Sequence, residues 1–480
     1  MYTLVIIIPQ ININSYSNST ITSKFLIFSY ATVFLLVVST FKIIKAKLKI
    51  VSISRLDIAL LILLIDISIN RYIVQPDFSF SIKYLELLGL SLIYLIIRSF
   101  SEKHLSLLLV AIIFSGIIQA IYGNLQLLGY YPSNHSGFKL TGSFFNPGPY
   151  AGFLVSVFPI ALGLYLFKEK ITTQVLLNIK NKKPSILSTL IKYVFEYIPL
   201  IGLISIILVI PATQSRASWL AVLASTSLLF EVRYQIIKKF IKQFNNFKKA
   251  ILIAGTVLCV GISLFGVYHL KKGSSDGRLF IWKVSIEIIK ENPIFGVGFD
   301  RFKAHYMISQ ANYFVKNGET AEVLVADNAY YAFNEFVQFI TENGFVGFVL
   351  LIIVLYFFIK TRVVKGNNYL NAILKISLLT TGVFSFFSYP MQILPIKLVI
   401  VVLLASLAKL SANKINLFKK IKISFQKPIL KVVLVIGFLI IAIFSFNYIS
   451  KLDKSFKNWK LALSSYQYGD YESAVEEYEQ

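Results

Sequence analysis

Runs of about 20 apolar residues recur along this chain between short polar connections, and that pattern constrains its fold more than any other feature. They extend roughly from Phe25 to Phe41, Asp57 to Val74, Tyr84 to Ile97, Leu105 to Leu128, Tyr150 to Phe167 and Tyr193 to Ile210. Further runs go from Ala217 to Phe230, Ala250 to Leu270, Asn334 to Phe358, Leu370 to Tyr389, Met391 to Leu407 and Ile429 to Tyr448. The pattern predicts an all-α, polytopic transmembrane bundle of about twelve helices, with the third and seventh short enough to be tilted. Charged residues make up only 15% of the 480 and hydrophobic ones 56%, against about 25% charged in soluble domains. A water-soluble enzyme is thereby excluded. The single cysteine, Cys259, lies in an apolar run, so neither an intramolecular disulfide nor a cysteine-rich metal site is expected.

The net charge of +25 is concentrated in every second connection: Lys42 to Arg55, Arg98 to His104, Lys168 to Lys192, Arg233 to Lys249, Lys360 to Lys365 and Lys409 to Lys431. Short Lys/Arg-rich loops remain on the cytoplasmic side, so these clusters report topology and not nucleic-acid binding. The first 24 residues, the loops 75–83, 130–149 and 211–216, the turn at Pro390, the long 271–333 loop and the C-terminal tail are then expected outside. The apolar stretch Met1 to Pro9 is too short to span and lacks the basic start of a signal peptide.

The 271–333 loop mixes both charges and is long enough to be a folded, functional unit. It reads as a turn at Gly273 to Gly277, an amphipathic helix from Arg278 to Lys290 with Ile281, Val284, Ile288 and Ile289 on one face, a stop at Asn292-Pro293, and a second turn through Gly296 and Gly298. That Gly-x-Gly fits a close backbone turn better than a phosphate cradle, because it has no third glycine and no strand before it. Arg278, at a helix start, suits a phosphate. Arg216, between two spans on the same side, is either an interfacial anchor or the second half of a diphosphate clamp. Asn334, Gln338 and Glu342 form a polar stripe on an otherwise apolar helix, with Glu335 beside it. Such a stripe lines a cavity or bonds neighbouring helices. Asn146 before Pro147 can cap the helix that follows.

In this order, Gly142-Ser-Phe-Phe-Asn-Pro-Gly-Pro-Tyr-Ala-Gly152, Ser215-Arg-Ala-Ser-Trp-Leu-Ala221, Gly277-Arg-Leu-Phe-Ile-Trp282 with Asn292-Pro-Ile-Phe-Gly-Val-Gly298, and Asn334-Glu-Phe-Val-Gln338 with Glu342-Asn-Gly-Phe-Val-Gly347 resemble the bacterial O-antigen ligase and Wzy-type polymerase superfamily. The resemblance implies a metal-independent, cofactor-free glycosyltransferase of the GT-C type in the bacterial inner membrane. It would take a glycan from undecaprenyl diphosphate on the periplasmic side, with the diphosphate held by Arg216 and Arg278. The family's presumed base is a histidine before the Asn of the last motif, and here that position is Phe333. Glu335 is then the first candidate for the base, with Asp327 and His305 behind it.

These readings give a membrane domain over 1–450, with its large periplasmic loop at 271–333, and a tail over 452–480. The expected reaction is en bloc transfer to lipid A-core or a similar hydroxyl, as in an O-antigen ligase. The alternatives are repeat-unit polymerisation, transfer to protein by an O-oligosaccharyltransferase, or, outside enzymes, a transporter using Asp66, Arg71 and Lys397. Against the transporter stands the lack of internal symmetry between halves. The tail resembles one tetratricopeptide repeat, with Ala462, Gly469 and Ala474 at packing positions. One such repeat cannot bury its own apolar face, so the chain is expected either to continue past Gln480 or to dock its tail on a periplasmic protein partner.

Overall fold

The structure, a computed structural model, describes the chain apart from residues 46–52, 178–185, most of 253–271, 365, 413, 416–427 and 480. Each expected apolar run is helical except 250–270, which lies mostly outside the described residues. Among the described residues six helices are long and apolar enough to cross a bilayer: Ser19–Phe41, Glu102–Leu127, Pro147–Leu166, Ser188–Thr213, Glu335–Lys360 and Val432–Gln467. A seventh candidate is Arg216–Tyr234 followed by Ile236–Lys242 after a 68° bend. The expected third span is a helix of 17 residues, Ile82–Arg98, or roughly 25 Å of rise. The chain is thus a multi-pass, all-α membrane protein.

The Pro147–Leu166 helix stands at the centre, 89% buried, because its Gly and Ala positions admit neighbours on every side. A Cβ at Gly152 would lie 2.6 Å from the Phe384 ring, and one at Gly163 2.5 Å from Ile373. Around it pack Glu102–Leu127, Ile186–Val209, Arg216–Tyr234, Asn368–Ser385 and Leu394–Leu410.

Two expectations require correction. Residues 2–10, expected outside with the rest of the first 24, are packed into the bundle. Leu4, Val5 and Ile8 are buried. The Tyr2 hydroxyl meets His104 Nδ1 at 2.8 Å, and Gln119 Nε2 donates to the Pro9 carbonyl at 3.0 Å. A segment too short to span is still apolar enough to fill a groove along a helix that does. Nor is there a turn at Gly273 to Gly277: the loop helix runs from Lys272 to Glu291. Tertiary contacts override the weak helix propensity of Gly-Ser-Ser-Asp-Gly here, among them a 3.2 Å bond from Arg216 to Ser275.

The outer loop has its own core, in which Phe280, Ile281, Val284 and Ile288 face Val297, Phe302, Tyr306 and Ala332, and a second helix, Phe302–Asn317. Its glycine turn is locked into the membrane bundle. Gly344, at φ +61°, breaks the Glu335–Lys360 helix, and the loop enters the break: Val297 N–H donates to the Thr341 carbonyl (3.0 Å), Gly298 N–H to Glu342 (2.9 Å) and Phe345 N–H to Pro293 (2.8 Å). A Cβ on Gly296 or Gly344 would lie 2.5 or 2.3 Å from a facing carbonyl oxygen. From the other side, Asn70 and Arg71, in a π turn at Asn70–Val74, donate to the Phe295 and Phe299 carbonyls at 2.6 and 2.8 Å. The glycine turn is therefore a docking element.

At the C-terminus one 40-residue helix, Pro428–Gln467, carries the last span into the tail without a break near 450. Gly469 turns it, at φ +81°, and Tyr471–Glu479 folds back with Ala462 and Ala474 buried.

Candidate functional site

Three helices begin at the same end of the bundle, at Pro147, Arg216 and Glu335, and their positive ends converge on one region. Asn146 caps the first through Gly148 N–H (3.0 Å). Asn334 caps the third, its Oδ1 accepting from Phe336 and Val337 N–H (3.0 and 3.2 Å). The second, after Ser215, has no side-chain cap. Such helix starts are ready sites for an anion.

Arg278 closes this region from the outer loop. Its Nη1 donates to the Phe387 carbonyl at 2.8 Å, and its guanidinium lies 5.2 Å from the centre of the Phe333 ring. Burial, together with the nearby positive charge of Arg216, holds Arg278 below its ordinary pKa. Two arginines 62 positions apart in sequence are thus close enough in space for their charges to interact. Arg278 is two turns into its helix and not at the start, so the helix-start argument belongs to Arg216.

Phe333 has a left-handed backbone, φ +52°, uncommon for a bulky residue. It stands edge-on to Tyr389 at 5.1 Å, and Tyr389 stacks on Tyr331 at 4.4 Å. These rings wall a cleft of about 330 Å³ whose other lining includes Asn18, Phe145, Ile281, Asp327 and Asn328. A Cβ on Gly148 would be 3.7 Å from the Tyr389 hydroxyl, which places the Asn146-capped helix at the cleft edge. Burial pushes Tyr331 up to about 12 and Tyr389 up as well, so both present neutral hydroxyls.

The candidate acids and bases separate. Asp327 is exposed and lines the cleft. Glu335 is buried, and its two oxygens accept from Met391 N–H at 2.6 Å and Gln392 Nε2 at 3.3 Å, holding the turn between the helices that follow. His305 is half-buried on Phe302–Asn317, where burial and Arg301 lower its pKa, and it does not line the cleft. Gln338 and Glu342 are bonded to each other at 3.1 Å, and Gln338 also accepts from Ala332 N–H. Of the stripe, Glu342 makes the bond to a neighbouring helix, accepting from Lys83 at 3.0 Å.

Sequence reasoning missed what Glu342 is bonded to. Lys83 reaches it at 3.0 Å and Asp300 at 4.0 Å, Ser81 donates to Asp300 at 2.5 Å, and Glu86 pairs with Lys397. Arg71 lies 3.7 Å from Asp77. Lys397 and Arg71, the cations of the transporter alternative, are therefore both neutralised within the fold. Lys83 and Glu86 sit three apart at the head of Ile82–Arg98, the one sequence signal for this network.

Residues 201–352 match the O-antigen ligase family model, a stretch that contains Arg216, Arg278, Asp327, Phe333 and Glu335. No curated protein sequence matches the chain.

Proposed function

We propose that this chain, whose residues 201–352 match the O-antigen ligase family model, moves a glycan from undecaprenyl diphosphate onto a hydroxyl of lipid A-core or a similar acceptor. At the coarser level it is a membrane enzyme of the ligase or polymerase kind. The observation that carries the finer reading is Arg278, with Arg216 nearby, set against the Phe333 ring that walls the aromatic cleft, in a region where three helix starts add partial positive charge. Diphosphate departure develops negative charge, and preorganised cations and dipoles stabilise it.

In the proposed step the acceptor oxygen attacks the anomeric carbon from the face opposite the diphosphate. The C–O bond to phosphate breaks, and its electron pair leaves with the diphosphate held by Arg216 and Arg278. The acceptor proton passes to Asp327, and the anomeric configuration inverts. Asp327 is supported by its place on the cleft wall. Glu335, the first choice from sequence, has both oxygens engaged in holding the turn after Tyr389. The cleft and large loop face the periplasm of a bacterial inner membrane in this reading, since Arg55, Arg98, Lys168, Arg233, Lys360 and Lys409 all lie at or beside the opposite helix ends.

The test is the envelope glycan profile of a deletion strain, lipopolysaccharide beside extracted undecaprenyl-diphosphate glycans, with and without the gene restored. Loss of long chains from lipid A-core with accumulation on the carrier is the expected result. Core capped by a single repeat would make it a polymerase, and an unchanged profile would remove the lipopolysaccharide acceptor, with transfer to protein next in line.

A further inference from the structure

At the end of the bundle far from the cleft, Arg55, Lys360 and Arg362 line a hollow of about 200 Å³ walled by Tyr356, Phe357 and Ser411. It lies at the Lys360 end of the Glu335–Lys360 helix, the end opposite Glu335. Backbone pairing fixes its rim: Ala412 N–H donates to the Arg362 carbonyl at 2.7 Å, Val363 bridges Ser411, and Ile53 and Ser54, just before Arg55, pair with Ile415 and Lys414.

Among the described residues no salt bridge neutralises these three cations. Among the described residues no carboxylate lies within 4.0 Å of any of them. Of the carboxylates at this end, Asp57 pairs with Arg98 at 2.7 Å, Glu196 pairs with Lys168 at 3.3 Å, and Glu102 accepts from Asn367 at 3.1 Å. The neighbouring segments 46–52 and 416–427 contain lysines and not one Asp or Glu. An adjoining hollow shares Lys360 and Arg362 and is lined by Asn371, whose Oδ1 is buried with no hydrogen-bond donor. A phosphate would satisfy the cations, and a hydroxylated headgroup the Asn371 oxygen.

We propose that this hollow is a binding site for the phosphate headgroup of an anionic phospholipid of the cytoplasmic leaflet, separate from the transfer site. Basic pockets between helices at that surface have the charge and depth to hold such headgroups, and Tyr356 and Phe357 supply an amphipathic wall at the interface.

The full chain, purified in neutral detergent, is titrated with phosphatidylglycerol or phosphatidylcholine and bound lipid is read by native mass spectrometry. Phosphatidylglycerol should be retained over phosphatidylcholine. Arg55→Gln with Lys360→Gln and Arg362→Gln should weaken its retention on the order of tenfold or more. Lys238→Gln with Lys239→Gln and Lys242→Gln removes the same charge from exposed positions outside the hollow and should change little. Equal loss in both variants would overturn the site in favour of a diffuse surface potential. Equal retention of the two lipids by the unsubstituted protein would also overturn it, and full displacement by millimolar inorganic phosphate would reassign it to free phosphate. Should the triple variant not fold, Arg362→Gln alone, at an exposed position, gives the same comparison.

Discussion

Lys83 and Arg278 are both cations drawn out of water, yet their surroundings are opposite. Lys83 lies between two carboxylates, Glu342 at 3.0 Å and Asp300 at 4.0 Å. Arg278 is held by a backbone carbonyl and an aromatic face, with a second arginine close enough to lower its pKa. A buried charge that finds its counter-ion inside the fold belongs to the architecture. One held by neutral groups, next to a like charge, is arranged for an anion that arrives from outside.

The comparison breaks if either cation behaves like the other. Lys83→Met strands Glu342 in the bundle and should cost about 3–5 kcal/mol of stability, read as a lowered thermal midpoint in detergent. The pair Lys83→Met with Glu342→Leu should recover much of that loss. Arg278→Ala should do the reverse, lowering transfer about 10²–10³-fold at near-normal protein level and melting temperature. A stable Lys83→Met or a grossly unfolded Arg278→Ala would each remove the distinction.

Two smaller effects sharpen it. Gly344→Ala forces a Cβ to within 2.3 Å of the Ile294 carbonyl at φ +61° and should cost about 1–3 kcal/mol. Limited proteolysis should then cut the 271–333 loop faster, because that glycine break is where the loop docks. Asn334→Ala removes the cap on Phe336 and Val337 and should cost about 1 kcal/mol. Asn334→Asp, which keeps the capping oxygen, should restore both stability and transfer. Failure of transfer in the capped Asp variant would give Asn334 a part in the chemistry beyond capping.

Much of the fold was legible. Apolar length was sufficient for the helices, since it follows from the cost of placing polar groups in hydrocarbon. The outer loop as a folded unit, its Ile281/Val284/Ile288 face and the cap at Asn146 were legible for the same local reason: helical period and capping are properties of neighbouring residues. The break at Gly344 was not, because it exists only where Pro293 to Gly298 enters it. The tucked segment 2–10 was missed because length alone separates a span from a non-span, whereas burial needs only a groove.

The site divides in the same way. Sequence by itself determined that this is a polytopic α-helical membrane protein with cations on one side, and which motif residues were worth weighing: Arg216, Arg278, Asn334, Glu335 and Asp327. The folded chain alone brings the charge of Arg278 near that of Arg216, walls the cleft with Phe333 and Tyr389, opens Asp327 but not His305 onto it, and spends the polar groups of Glu335, Gln338 and Glu342 on packing. A hydrogen-bond partner is chosen by distance in space. Lys83 and Glu342 are 259 residues apart along the chain and 3.0 Å apart in the bundle, and no local pattern records that.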